Sequence, residues 1–258
     1  MFNLVYDIGA NRGQNLEYYL SKGQRVVAIE PQIDLCNDIE INFRNEVKNK
    51  NLIICNKAIV IDENLKKVKL YIDKNKNWKS SLLQEDIEDY VIVKSIVLKK
   101  LFEAYGTPDC IKIDVEGYDL EVLKYLKVNG YKPKYLVVEI QNKEIFNYLL
   151  DNFSYKYFNF VIGYRVSKDY KTLNLKTHSS GPLLNDLKFN WVNKKLIKVY
   201  FKLIRLGWVD IHCTNLVLPK GNSNGLIFTF FYLLIDLILR NIIPIKNKLA
   251  GKIKSIIY

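Results

Sequence analysis

Short apolar runs recur along the first 140 residues, each of strand length and each followed by a stretch in which apolar side chains return every three or four positions. The first run is Leu4 to Ile8, and a helix is expected to start across Gln14 to Leu20. Arg25 to Glu30 is the second, stopped by Pro31, and Leu35, Ile39 and Phe43 then share a helical face. Leu52 to Asn56 reads as a third strand, Val68 to Ile72 alternates like a half-exposed one, and Asp73 to Lys79 is a polar turn. A helix is expected over Ser95 to Tyr105, closed by Gly106 and Pro108. Ile111 to Ile113 reads as a core strand, Tyr118 to Leu126 as a helix and Pro133 to Glu139 as another strand. Strands that alternate with helices, with no tight hairpin between them, predict an α/β fold built on a mainly parallel, doubly wound sheet.

Beyond residue 150 the pattern changes to an aromatic segment, Tyr155 to Tyr164, and a polar loop reaching Asn190. Across Asn193 to Leu206, Lys194, Lys198, Lys202 and Arg205 fall on one helical face, which suits either an anionic surface or plain solvent. Leu226 to Ile243 is the most apolar stretch, interrupted by Asp236 and Arg240 and followed by Pro244, Lys246, Lys248, Lys252 and Lys254. It is short for a membrane span, which needs about 20 apolar residues. An interfacial helix with a basic tail is the first expectation, and a helix packed against protein and a true transmembrane helix both stay open. The expected division is a core over 1–165, an acceptor-recognition region over 166–222, and an apolar helix with basic tail over 223–258.

Composition narrows this picture little. A 49% hydrophobic fraction in 258 residues supports a full core and excludes global disorder. The net charge of +12, with a pI near 9.3, favours anionic partners, and a general bias toward Lys, Asn, Ile and Tyr explains it equally well. Cys36, Cys55, Cys110 and Cys213 are scattered and read as free core thiols of a reducing compartment. The N-terminus shows no signal-peptide pattern, so cytoplasmic placement is expected.

Chemistry concentrates at the strand ends. Gly9 to Gly13 joins the first strand to the first helix, a turn in which backbone amides approach a ligand. Its Gly-x-x-x-Gly spacing differs from the Gly-x-Gly-x-x-Gly of dinucleotide sites, and Asp7 just upstream would repel a diphosphate while suiting a cationic methionine moiety. Glu30 ends the second strand, where a carboxylate can take ribose hydroxyls. Asp114 and Glu116, after a later strand, point toward the same crevice, and Glu139 ends another strand.

In order, DIGANRG, VVAIEP, NKAI, IKIDVEGYDLEVL and KPKYLVVE resemble the FkbM family of S-adenosylmethionine (SAM)-dependent methyltransferases, over roughly residues 4 to 140. The resemblance implies a class I, Rossmann-like methyltransferase fold and methyl transfer to an oxygen. It implies that Asp7, Gly9, Ala10, Asn11 and Gly13 hold the methionine part of SAM, Glu30 the ribose, and Asn56 and Ala58 the adenine. Asp114 and Glu116 would face the transferred methyl.

The place after the fourth strand reads Asp-Val-Glu-Gly, not the Asn/Asp-Pro-Pro-aromatic tetrapeptide of amine-methylating nucleic-acid enzymes, so a hydroxyl acceptor is favoured. Candidate bases are Asp114, Glu116 and His212, the imidazole by its pKa of about 6.5. A cation on Asp114, Glu116 or Glu139 is chemically open, but no spacing demands it, and no metal is expected. The leading expectation is an O-methyltransferase of polysaccharide biosynthesis. It would act on a sugar of a glycan or lipid-linked glycan precursor, peripheral at the inner face of the membrane through 226–258, with a homodimer left open. A SAM-dependent RNA methyltransferase and a non-catalytic scaffold with the same fold are the alternatives. No RNA-binding module is visible, and intact acids at 7, 30, 114 and 116 speak against a scaffold.

Overall fold

The computed structural model describes residues 2–72, 80–83, 89–173, 175, 180–203 and 208–216, with Thr229, Phe230 and Leu234. Its strands are β1 (Leu4–Ile8), β2 (Arg25–Ile29), β3 (Leu52–Cys55), β4 (Ala58–Ile59), β5 (Lys67–Ile72), β6 (Ser80–Ser81), β7 (Tyr90–Ile96), β8 (Cys110–Ile113), β9 (Tyr135–Glu139), β10 (Tyr157–Ile162) and β11 (Val209–Thr214). The α-helices are α1 (Leu16–Ser21), α2 (Ile33–Asn42), α3 (Arg44–Lys48), α4 (Leu98–Tyr105), α5 (Asp119–Val128), α6 (Lys143–Asn152), α7 (Val166–Asp169) and α8 (Lys194–Leu203).

The main sheet runs β10-β11-β9-β8-β1-β2-β3. β3, β2, β1, β8 and β9 pair in parallel, while β11 is antiparallel to both β9 and β10. This is the mainly parallel α/β architecture expected from the alternation of strands and helices, in the Rossmann-like form that the resemblance implied. The parallel strands are nearly continuous apolar runs because helices cover both faces. Tyr6, Ile8, Val27, Ile29, Ile111, Ile113, Leu136 and Val138 fill one face with side chains of α4, α5, α6 and α8. Val5, Val26, Ala28, Cys110, Tyr135 and Val137 fill the other with residues of α1 and α2 and with Leu183.

Three features depart from the sequence-based expectation. Tyr90 to Ile96 is a strand and the following helix begins only at Leu98, since the β-branched run Val91, Ile92, Val93 suits a pleated surface. It joins β4, β5 and β6 in a second, four-stranded sheet in which β5 pairs antiparallel with both β6 and β7. Finally, β11 sits inside the main sheet between β9 and β10. Within the segment 166–222, the strand Val209–Thr214 thus completes the main sheet. All six β11 residues are buried, and the polar alternation of Asp210, His212 and Thr214 reflects one polar row within a covered sheet.

α8 carries Ile197, Tyr200 and Phe201 into the core, with Phe201 stacked on Phe146 of α6 at 3.7 Å between centroids. On its other side Lys194 and Lys198 reach Asp151 at 3.1 and 3.9 Å. Tyr155, Phe158 and Phe160 are core residues too. Among the described residues no helix is long and apolar enough to cross a membrane. Apart from Thr229, Phe230 and Leu234, the stretch 223–258 lies outside the described residues, as do the turn at 73–79 and Arg205.

Candidate active site

A cleft of about 690 Å³ opens at the carboxyl ends of β1, β2, β8 and β9. In a doubly wound sheet this is where ligands enter, because the strand order reverses there and the crossing loops diverge. Gly9, Asn11, Glu30, Ala58, Asp114 and Glu116 all line it, joined by Lys112, Glu139, Gln141 and Trp208.

The glycine turn is shaped by its neighbours. The amides of Gly9 and Ala10 both donate to the Ile29 carbonyl, at 2.9 and 3.0 Å, which ties the turn to β2. Gly9 has φ +80°, and a Cβ there would overlap the Asp114 carbonyl oxygen, so only glycine lets β1 and β8 end side by side. Asn11 adopts φ +50°. Its amide donates to Glu30 Oε2 at 3.0 Å, while the Gln32 amide donates to Oε1 at 2.9 Å. Glu30 thus splints the turn and still offers acceptor lone pairs to the cleft.

The second loop, after β8, is held from two sides. Asp119 is fully buried and accepts the amides of Val115 and Gly117 at 3.1 and 3.2 Å. The Ser81 hydroxyl donates to the Glu116 carbonyl at 2.7 Å. Glu116 is left at φ +46°, a strained conformation for a non-glycine residue of the kind that recurs at functional sites. Ser81 thereby fixes the backbone of a cleft carboxylate.

Charge is concentrated on one face of the sheet. Lys112, buried in mid-strand, places its ammonium 3.1 Å from Asp114, 3.4 Å from Asp7 and 3.2 Å from the Gly9 carbonyl. These carboxylates hold the ammonium above its ordinary pKa despite burial. Asp7 is fully buried, and desolvation raises its carboxyl against the opposing pull of Lys112. Burial also raises Glu30 to about 7, and raises Glu139 to about 10 with help from Asp114 and Asp210.

Several expected site residues lie off the cleft lining. Asp7 acts behind it, through Lys112. Ala10 packs in the core. A Cβ on Gly13 would press on Leu16, Ile39 and Phe43 at 2.8 to 3.3 Å, so that glycine serves the packing of α1 on α2. The Asn56 amide donates to the carbonyls of Glu30 and Pro31 at 3.1 and 2.9 Å, bracing the β2 end. His212 is fully buried between the Tyr135 hydroxyl, 2.9 Å from Nδ1, and the Ser180 carbonyl, 3.1 Å from Nε2. The carbonyl can only accept, which puts the proton on Nε2. Desolvation lowers this imidazole to about 3. Both nitrogens are engaged and His212 is not among the residues that line the cleft, so in this structure it ties β11 to the 180–184 loop. His178 lies outside the described residues.

Lys112, Asp210, Gln141 and Trp208 carry no site role in the reading of the sequence. A lysine flanked by isoleucines in a core strand was the available signal for the first. Its register partner on β1 is Asp7, which a strand alignment alone could have matched.

These groups fit SAM. Glu30 could offer acceptors to a ribose, Ile29, Ala58, Ile59 and Leu70 could form an apolar wall for adenine, and the acids of the cleft would suit the cationic methionine part. Because ribose hydroxyls donate to the ionised carboxylate, affinity for S-adenosylhomocysteine is expected to rise with pH up to about 7 and level off above it. Calorimetric titrations at several pH values check this. For stability the sign is opposite. An acid whose pKa is raised on folding favours the folded state below its ordinary range and loses that contribution as pH climbs through the raised value.

A model of the methyltransferase FkbM domain matches residues 7–166. No curated protein matches the chain. Among solved structures, the chain is similar to a precorrin-6Y C5,15-methyltransferase from Geobacter metallireducens, with 13% identity, coverage of 62% of this chain and 67% of that one, and a TM-score of 0.35. A SAM-dependent O-methyltransferase from Thermotoga maritima gives 9%, 85%, 61% and 0.34 for the same quantities. A tRNA (uracil-54, C5)-methyltransferase from Pyrococcus abyssi, in complex with S-adenosylhomocysteine, gives 12%, 82%, 33% and 0.36.

Proposed function

The chain belongs to the FkbM family of SAM-dependent methyltransferases, and from that premise we propose that it methylates a hydroxyl of a sugar in a glycan or lipid-linked glycan precursor. The observation that carries this reading is the composition of the cleft, which Asp114, Glu116, Glu139 and Trp208 line together. Carboxylates accept hydrogen bonds from hydroxyls and repel phosphates, and an aromatic face suits the apolar face of a sugar ring. The indole lies directly against Gly163, where any Cβ would overlap the ring.

When bound, SAM supplies a methyl carbon already activated by its sulfonium. The protein then has to align the acceptor and take its proton. Glu30 and the Gly9 turn fix the cofactor end. Asp114, oriented by Lys112, and Glu116, braced by Ser81 and Asp119, receive the acceptor hydroxyl and its proton. The lipid-linked form of the acceptor is supported by the apolar stretch and lysine-rich tail of 226–258, which would hold the protein at the inner membrane face.

Mass spectrometry of surface polysaccharide from cells lacking the protein is expected to show one sugar without its methyl group. With the acceptor so identified, Trp208→Ala is expected to raise its KM roughly tenfold, with S-adenosylhomocysteine affinity unchanged. An unaltered polysaccharide would exclude the reading.

A further inference from the structure

We propose that the acidic end of the cleft is a binding site for a hard divalent cation, held by Asp114, Glu116 and Glu139. The sequence by itself gave no reason to expect a metal, and the case rests on how the sheet assembles these acids. One oxygen from each of the three carboxylates lies within 4.8 Å of the others. Octahedral or larger oxygen shells at about 2.1 to 2.5 Å from the ion require ligand separations of about 3 to 5 Å.

A second observation comes from β11. Asp210 pairs in register with Glu139, and Asp114 stands one position beyond the Ile113–Val138 pair, so Asp210, Glu139 and Asp114 form one row across three adjacent strands. The parallel row two residues back contains His212, Val137, Lys112 and Asp7, which places all these side chains on the same face. Asp210 is 1% exposed, and neither of its oxygens has a hydrogen-bond partner among the described residues. The groups that favour its ionised form are the Lys112 ammonium, already shared by Asp7 and Asp114, and the Ser180 side chain, so this buried carboxylate beside Glu139 is under-compensated.

Charge counting agrees. Asp7, Asp114, Glu116, Glu139 and Asp210 bring five carboxylates together around Lys112, while Arg12 and Lys57 also line the cleft. SAM adds a net single positive charge, which still leaves an excess of acid. A proton shared within the row is the competing remedy, and burial does drive Glu139 and Asp210 upward, to about 10 and about 7. A proton satisfies one carboxylate, whereas a divalent ion satisfies the three that converge on the cleft. The donor set is all oxygen, with no thiol or imidazole, which selects magnesium, calcium or manganese over zinc or copper.

The role of the ion rests on the hydroxyl-methylation reading. Seated at the cleft's far end, it would ligate the acceptor oxygen and lower the pKa of that hydroxyl. Its binding does not depend on that reading, and the test uses no acceptor. The full chain saturated with S-adenosylhomocysteine is titrated with Mn2+, and free Mn2+ is followed by its electron paramagnetic resonance signal. One bound ion per chain, displaced by Mg2+, is expected. In Glu139→Gln and in Glu116→Gln affinity should fall by more than the roughly tenfold that loss of a supporting group costs a metal site. Calorimetry with S-adenosylhomocysteine on the same variants verifies that the fold and cofactor end survive. No Mn2+ bound at about millimolar concentration, or equal binding in wild type and both variants, overturns the site.

Discussion

Glu30→Ala is expected to weaken S-adenosylhomocysteine binding on the order of a hundredfold or more while leaving the protein folded. The carboxylate accepts the amides of Asn11 and Gln32 and faces the cleft with its remaining lone pairs. Hydrogen bonds to a charged group contribute about 1.5–3 kcal/mol each, and the ribose would lose two of them. The turn would also lose the splint that holds Asn11 at φ +50°, so the backbone at the cofactor end would no longer be pre-organised. Stability should move much less. Glu30 is 4% exposed, and its raised pKa shows that burying the ionised form is costly, so deleting the charge offsets the loss of its two amide contacts. Calorimetry for binding and circular dichroism for unfolding separate the two effects. Glu30→Gln, which keeps one acceptor oxygen, should fall between. Full-strength binding by the alanine variant would remove Glu30 from the cofactor site.

Lys112→Met should act mainly on stability. Its ammonium is the counter-charge shared by Asp7 and Asp114, and methionine fills similar volume without a charge. Breaking a buried pair by removing one partner costs about 3–5 kcal/mol, because the other charge stays buried and uncompensated. At about 2–4 °C per kcal/mol for a chain of this size, the melting temperature should drop by roughly 10 °C. The pH dependence identifies the cause. Without Lys112, Asp7 would be pushed still higher, so the deficit should shrink in acid, where Asp7 is protonated, and widen toward pH 8. Adding Asp7→Asn to Lys112→Met should restore most of the lost stability. If the double variant melts with the single one, the Asp7–Lys112 pair is not the source.

Much of the chemistry was legible because it lies in local sequence. The glycine turn, Glu30 at the end of β2, and the Asp114–Glu116 loop each occupy a short stretch whose conformation follows from glycine, proline and apolar run length. Partners from distant strands were not legible. Lys112 looks anomalous in an isoleucine strand, yet its meaning depends on Asp7, more than a hundred residues earlier, being its register partner. His212 shows the reverse. Its titration range made it look like a base in isolation, and the packing of Tyr135 and Ser180 around it removed that role.

By itself the sequence determined the parallel half of the sheet and the cofactor end of the cleft, because hydrophobic period and turn chemistry act over a few residues. Tertiary structure alone decided that β11 enters the sheet antiparallel and that Asp210, Glu139 and Asp114 align in one row. It also decided that Trp208 lines the cleft. Those facts depend on strand order and register, which are fixed when separate segments bury their faces against one another rather than by any one segment's own preference.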